Sequence, residues 1–381
     1  MKNKTSFHNQ SFHNHYGNLR KGLPNTIDRL SRHEPLVVAF LGGSITEGAG
    51  ASDANITSWR ALTEKYLRER LSEDQVTFIN AGVGGTNSTF GAHRLQDHVL
   101  YRGAVDLLFV EFSVNDDTSD REESIRGMEG IVRQCGRLSP RTDICFLYTA
   151  ADKNLSEELP FNIAIHEEVA SYYDIPSINF AGPIYAQVKS GRMQWEELAP
   201  DRVHPNDTGY ALYARYVRDF LEIALSLEVE YAYGGVQTKI PLDHRSYEHA
   251  TMRNCNEADH SEGFHLKSIE QEPLMNWRYS SEQLYTDSHE ASLTFTVVGQ
   301  SAGLLMLCGP DTGIFEYSLD GLQFQSVNPF DDWCLVAYRP VITLFPFREE
   351  RGSMRITVRN TGLKDERSTG NSFRILKLLS N

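Results

Sequence analysis

The chain has 381 residues, 40 % of them hydrophobic, enough to bury a sizeable core and to build two domains. With 37 basic against 51 acidic residues the net charge is −14, which argues against nucleic acid or an anionic membrane as a partner. Five scattered cysteines (Cys135, Cys145, Cys255, Cys308, Cys334) lack CxxC spacing, so neither a disulfide framework nor a thiolate metal site is expected.

Residues 1–34 are polar and read as an N-terminal arm, with a short helix near Ile27 to Ser31. The arm has no apolar stretch of signal-peptide length, and no 18-residue apolar run follows it. The expectation is a cytoplasmic protein, with His8, His13 and His15 belonging to a fraying terminus rather than to a metal site.

The organising stretch is VVAFLGGSITEGAG, residues 37–50. An apolar, partly β-branched run closed by Gly42 and Gly43 reads as a buried parallel strand followed by a tight turn. Ser44 then stands at the carboxyl end of a central strand, where open α/β sheets place their chemistry. No lysine follows the glycines as a phosphate loop requires, and Gly48 and Gly50 lack the third glycine of a dinucleotide fingerprint.

Trp59 to Leu71 carries Leu62, Tyr66 and Leu67 at helical spacing. Strands are predicted at Val76 to Ala81, Val105 to Phe112, Ile144 to Thr149 and Ser177 to Phe180. Between them lie helical patterns over 88–100, Ile125 to Leu138 and Phe161 to Tyr172. Strictly alternating strand and helix means a five-stranded parallel sheet with helices on both faces. After His204-Pro205, Asn206 or Asp207 caps a last helix with Tyr210, Tyr213, Val217, Phe220, Leu221 and Ala224 on one stripe, closing a domain over 35–229.

From 230 to 381 the period changes to short strands, at 292–298, 303–308, 315–319, 334–338, 354–358 and 373–379, with a hairpin at Asp320-Gly321. Seven to nine such strands without helices predict a β-sandwich, jelly-roll-like in order.

The strand and loop ends of the first domain supply a set of groups suited to acyl transfer. A serine hydroxyl such as that of Ser44 needs a base to take its proton, and His204 is the natural one at neutral pH. Asp201, three positions earlier in DRVH, is placed to orient that imidazole. The N–H groups of Ser44 and Gly85 and the side-chain amide of Asn115 are candidate oxyanion-hole donors. In the β-domain, Trp333 beside Asp331 and Asp332, before a strand starting at Cys334, offers a flat apolar face with carboxylates for a sugar. No metal-ligand motif or cofactor motif is present, so a metal-free, cofactor-free mechanism is expected.

The blocks GGSIT (42–46), NAGVGGTNS (80–88), FSVND (112–116) and DRVHPN (201–206) resemble, in this order, the four blocks of the SGNH (GDSL-type) hydrolases. The resemblance spans about residues 36–226 and implies a flavodoxin-like sheet, Ser44 as nucleophile, Gly85 and Asn115 in the oxyanion hole, and Asp201 and His204 as the rest of the triad. Two positions depart from the family pattern. Gly43 stands where an Asp usually precedes the nucleophile, and Ser113 stands where a Gly usually lies two places before the Asn. The appended sandwich also resembles two-domain carbohydrate acetylesterases, deacetylases of mannan and xylan oligosaccharides. That resemblance implies a serine esterase acting on acetylated oligosaccharides through an acetyl-serine intermediate. A lipid or thioester hydrolase of the same fold, or an inactive carbohydrate-binding protein, are the alternatives, and a homo-oligomer is left open.

Overall fold

A computed structural model describes residues 16–227, 239–269 and 282–381. The early histidines His8, His13 and His15, and the expected domain junction at 229–230, lie outside the described residues.

In chain order the α/β part contains β1 (Gly17–Asn18), α1 (Pro24–Ser31), β2 (Leu36–Gly42), α2 (Ser44–Glu47), α3 (Trp59–Leu71), β3 (Val76–Gly82), α4 (Ser88–His98) and β4 (Leu107–Glu111). It continues with α5 (Arg121–Leu138), β5 (Asp143–Tyr148), α6 (Phe161–Tyr172), β6 (Ser177–Asn179), α7 (Ala181–Lys189), α8 (Trp195–Leu198) and α9 (Asp207–Ala224). The sheet order is β1-β6-β5-β4-β2-β3. Leaving β1 aside, that is the flavodoxin-like order the resemblance implies, with β2 at the switch point. Strands β2, β4, β5 and β6 are parallel, and β2 and β4 are buried almost throughout, as expected of strands covered on both faces.

The sheet has six strands rather than five, and it is mixed. Gly17–Asn18 pairs antiparallel with β6, and the predicted polar arm is thereby tied down from Tyr16 onward. Its anchors are polar, which is why apolar periodicity did not reveal them: Arg20 donates to Ile175 O, Ser171 and Ser177 and pairs with Glu167, and Tyr16 packs its ring 4.5 Å from that of Tyr216. Helices α7 and α8 were likewise not predicted.

Among the described residues the C-terminal part contributes β7 (Thr251–Asn254), β8 (His260–Glu262), β9 (His265–Ser268), β10 (Glu282–Thr286), β11 (Ser292–Gly299), β12 (Ala302–Cys308), β13 (Gly313–Ser318), β14 (Gln325–Val327), β15 (Arg339–Leu344), β16 (Gly352–Lys364) and β17 (Phe373–Ser380). One sheet runs β15-β12-β17-β10-β9 with β7 on β17; the other runs β14-β13-β16-β11-β8, and all of these pairings are antiparallel. One core draws on both sheets, with Phe295, Ile356 and Phe315 from one and Leu304, Met306 and Ile375 from the other, so the two form a sandwich. Short exposed strands such as β8, β9 and β14 carry no apolar alternation, which is why more strands are present than expected.

Two sequence expectations need correction here. Cys334 to Tyr338 is not a strand: Asp331 accepts from the N–H groups of Trp333 and Cys334 and caps a 3₁₀ turn over Asp332–Leu335, so pairing begins only at Arg339. The Asp320-Gly321 reversal exists, but β13 and β14 close on Tyr317↔Gln325, a loop longer than two residues.

The described residues form two compact units, one drawn from within 1–80, 104–121 and 140–238, the other from within 81–103, 122–139 and 239–381. Helices α4 and α5 thus belong to the same unit as the sandwich: Gln134 on α5 donates to Ala92 O and Tyr247 O, and Phe90 of α4 packs with Leu305, Leu307 and Leu376. Among the described residues no helix is long and apolar enough to cross a membrane.

Candidate active site

Everything about the Ser44 turn follows from closeness. A side chain at Gly42 would put its Cβ 2.2 Å from Thr46 Oγ1 and 2.7 Å from Glu111 O, so the strand exit tolerates only glycine. Gly43 is extended and caps α2, and its N–H donates to Glu111 O at 3.3 Å. Ser44 opens the one-turn helix, which ends at Gly48 in the left-handed region (φ +109°). Two large side chains fasten the turn from behind: Trp59 Nε1 donates to Ile45 O at 3.1 Å and the Tyr210 hydroxyl to Ala49 O at 2.5 Å.

Beneath it lies Glu111, fully buried at the end of β4. Its carboxyl accepts from Thr46 Oγ1 (3.0 Å) and Thr149 Oγ1 (2.8 Å), and burial pushes its pKa up despite them. This residue stitches together the exits of β2, β4 and β5. An acid near the carboxyl end of VDLLFVEF, after the apolar run LLFV, was the signal that could have revealed it.

DRVH forms a compact loop. Asp201 Oδ1 accepts from the N–H of Val203 (2.9 Å) and His204 (2.7 Å), while Oδ2 accepts from His204 Nδ1 at 2.6 Å. Partial burial works against the charged form, but these bonds prevail and hold the carboxyl below its usual range. Arg202 takes a left-handed conformation (φ +69°) to let the loop turn, and its carbonyl accepts from Trp195 Nε1 and Asp152 N. With Nδ1–H committed to Asp201, the Nε2 lone pair faces Ser44 Oγ at 2.8 Å. Pro205 and the Asn206 cap of α9 fix the far side of the histidine. Gly50, also left-handed (φ +91°), closes over it: a Cβ there would lie 3.0 Å from His204 Cβ and 2.6 Å from Pro205 O.

The structure therefore brings Ser44, His204 and Asp201 into one hydrogen-bonded line. Asn115 begins a 3₁₀ turn after β4, the strand next to β2, with Gly42 and Glu111 in register. Ser113, one of the two departures, is fully buried and accepts from Thr149 N through its hydroxyl at 3.0 Å, a bond glycine could not make. Gly85 belongs to the other compact unit; it is exposed and left-handed (φ +69°), and nothing lies within 4 Å of where a Cβ would be. Trp333, in the same unit, is 66 % exposed, whereas Asp331 and Asp332 are paired with Arg339 and Arg367.

Residues 40–212 match the GDSL-like Lipase/Acylhydrolase family, so the SGNH resemblance drawn from the four blocks holds. Among solved structures, a two-domain esterase (CEX) active on acetylated mannans, co-crystallised with mannopentaose, is similar over 95 % of this chain and 96 % of its own, at 24 % identity and a TM-score of 0.79. A second crystal structure of a two-domain esterase (CEX) active on acetylated mannans gives 23 % identity, coverage of 96 % of this chain and 95 % of its own, and a TM-score of 0.80. No curated protein matches the sequence.

Proposed function

We propose that this chain is a serine esterase that removes O-acetyl groups from acetylated oligosaccharides through an acetyl-Ser44 intermediate. The observation that carries the chemistry is the line from Asp201 Oδ2 through the imidazole to Ser44 Oγ, at 2.6 and 2.8 Å. Ser44 attacks the acetyl carbonyl while its proton passes to His204 Nε2; Asp201 stabilises the imidazolium that forms. The Ser44 N–H and the Asn115 amide receive the oxyanion. Collapse expels the sugar hydroxylate, which takes its proton from His204. Water, deprotonated by the same nitrogen, then attacks the acetyl-serine, releasing acetate and restoring Ser44.

The substrate class rests on the whole-chain likeness to the esterases active on acetylated mannans. Trp333 supports it: a large aromatic face open to solvent, on a turn braced by Asp331–Arg339 and Asp332–Arg367, is what stacking on a sugar ring requires. A cytoplasmic enzyme would meet such sugars as short oligomers, and the cytoplasm is the compartment we propose.

The test is acetate release, followed by mass spectrometry, from acetylated manno-, xylo- and chito-oligomers beside a short and a long aryl ester. Loss of acetyl groups from one of the sugars, absent in Ser44→Ala, is the expected result. A preference for the long acyl chain would favour the lipid reading, and no turnover of any ester would leave a binding protein.

A further inference from the structure

Asn115 is set on a short turn, yet an oxyanion donor must be held to within a fraction of an ångström. Within the turn's backbone, Asn115 N and Asp116 N donate to Phe112 O, each at 3.0 Å, and Ser119 N donates to Asp116 O at 3.1 Å. Further supports come from elsewhere: Lys153 pairs with Asp117, and other groups reach the turn from two directions. On one flank Asn162 Nδ2 donates to Ser113 O, and Thr149 N donates to Ser113 Oγ. On the other flank His166 Nε2 meets Asp116 Oδ2 at 2.8 Å, with both side chains wholly removed from solvent.

Asn162 and His166 are four residues apart on α6 and therefore share one face of it. A rigid helix thus grips the residue two before Asn115 and the residue directly after it. Asn162 is braced in turn, its Nδ2 also donating to Asn154 Oδ1 at 2.9 Å, while Asn154 Nδ2 donates to Thr149 O at 3.0 Å. Burying an imidazole, two amides and a carboxylate together costs free energy that apolar residues would not, and such groups rarely add net stability. They do fix directions, because each donor has one acceptor at one angle.

We infer that Asn162 and His166 are positioning residues that clamp the turn bearing Asn115 and so hold its amide where the oxyanion forms. This rests on the reading of Asn115 as an oxyanion donor. The clamp touches neither substrate nor nucleophile; it acts through Asn115 alone, and that makes it testable by a double-mutant cycle.

Turnover of a small aryl acetate is measured for His166→Leu and Asn162→Ala, each alone and combined with Asn115→Ala. Alone, each is expected to lower kcat about tenfold or more with KM within about twofold. His166→Gln, whose amide nitrogen can reach the Nε2 position, restores most of the loss. In the Asn115→Ala background the same substitutions change kcat by less than about twofold, because the group they position is gone. A loss that persists undiminished in that background, or wild-type kcat in both single variants, overturns the clamp while leaving Asn115 in place. An Asn115→Ala enzyme with unchanged kcat removes the premise, and the clamp with it. Should His166→Leu fail to fold, Asn162→Ala carries the same cycle, since it keeps the buried His166–Asp116 hydrogen bond.

Discussion

The two ends of the parallel strands β2, β4 and β5 use the same residue types for opposite tasks. At the amino end, Asp106 accepts from Val37 N (2.7 Å) and pairs with Arg29, while Asp143 accepts from Thr26 N (2.7 Å) and Asn25 Nδ2 (3.1 Å). Burial pushes both carboxyls up, Asp143 to about 6, against the hydrogen bonds they accept. At the carboxyl end Asp201 is half exposed and held low. The more perturbed acid is thus not the one in the triad. What separates the ends is geometry: the amino-end carboxylates accept from backbone N–H groups at the starts of β2 and α1, whereas Asp201 also orients an imidazole whose second nitrogen points at a hydroxyl.

The sharpest way to break this distinction is at the carboxyl end. Ser44→Ala and His204→Ala are expected to lower kcat on an acetate ester by about 10⁴-fold or more, with an unfolding midpoint close to wild type. Retained turnover in either variant, measured against a catalytically dead preparation control, would move the chemistry away from this line. A smaller effect is expected from Gly50→Ala. Its methyl group would press on His204 Cβ and Pro205 O at a left-handed position, and displacing the base by a fraction of an ångström costs about ten- to a hundredfold in kcat/KM. Wild-type kinetics in that variant would mean that the loop after α2 yields rather than the histidine.

How much of this was legible depended on whether a partner lay nearby in the chain. Asp201 and His204 meet across three residues and Ser44 follows its strand by two, but Ser44 and His204 lie 160 residues apart, and it is the order of the four blocks, through their resemblance to the SGNH hydrolases, that joins them. Glu111, Asn162 and His166 meet Thr46, Thr149, Ser113 and Asp116 at separations of 38 to 65 residues, and in sequence they look like ordinary polar residues in a strand and a helix. The Trp333 segment shows the opposite failure. Its CLVAY run satisfied a strand pattern, but one carboxylate, that of Asp331, capped a turn instead and left Leu335, Val336 and Trp333 on the surface. If Trp333 serves as a sugar platform, Trp333→Ala should lower kcat/KM on acetylated oligosaccharides at least about tenfold and that on an aryl acetate less than about threefold. Equal losses on the two substrates would assign the exposed ring no part in recognition.

The smallest effect belongs to the amino end, and it should appear in stability without touching catalysis. Asp143 binds its proton more tightly in the native state, where its pKa is about 6, than in the unfolded chain, where it is about 3.9. Between those values the native state holds more protons than the unfolded one, so this group's contribution to stability falls as pH rises from about 4 to 6 and is flat above. Asn at this position keeps an oxygen for Thr26 N and cannot ionise. The stability of Asp143→Asn relative to wild type should therefore improve by about 1 to 3 kcal/mol between pH 4 and pH 7, whatever its absolute value. Urea unfolding of both proteins at the two pH values measures this, and aryl acetate kinetics at pH 7 should coincide. A stability difference independent of pH would show that the Thr26 and Asn25 bonds compensate Asp143 fully. A loss of kcat would couple the amino end to the chemistry and erase the contrast between the two ends of the sheet.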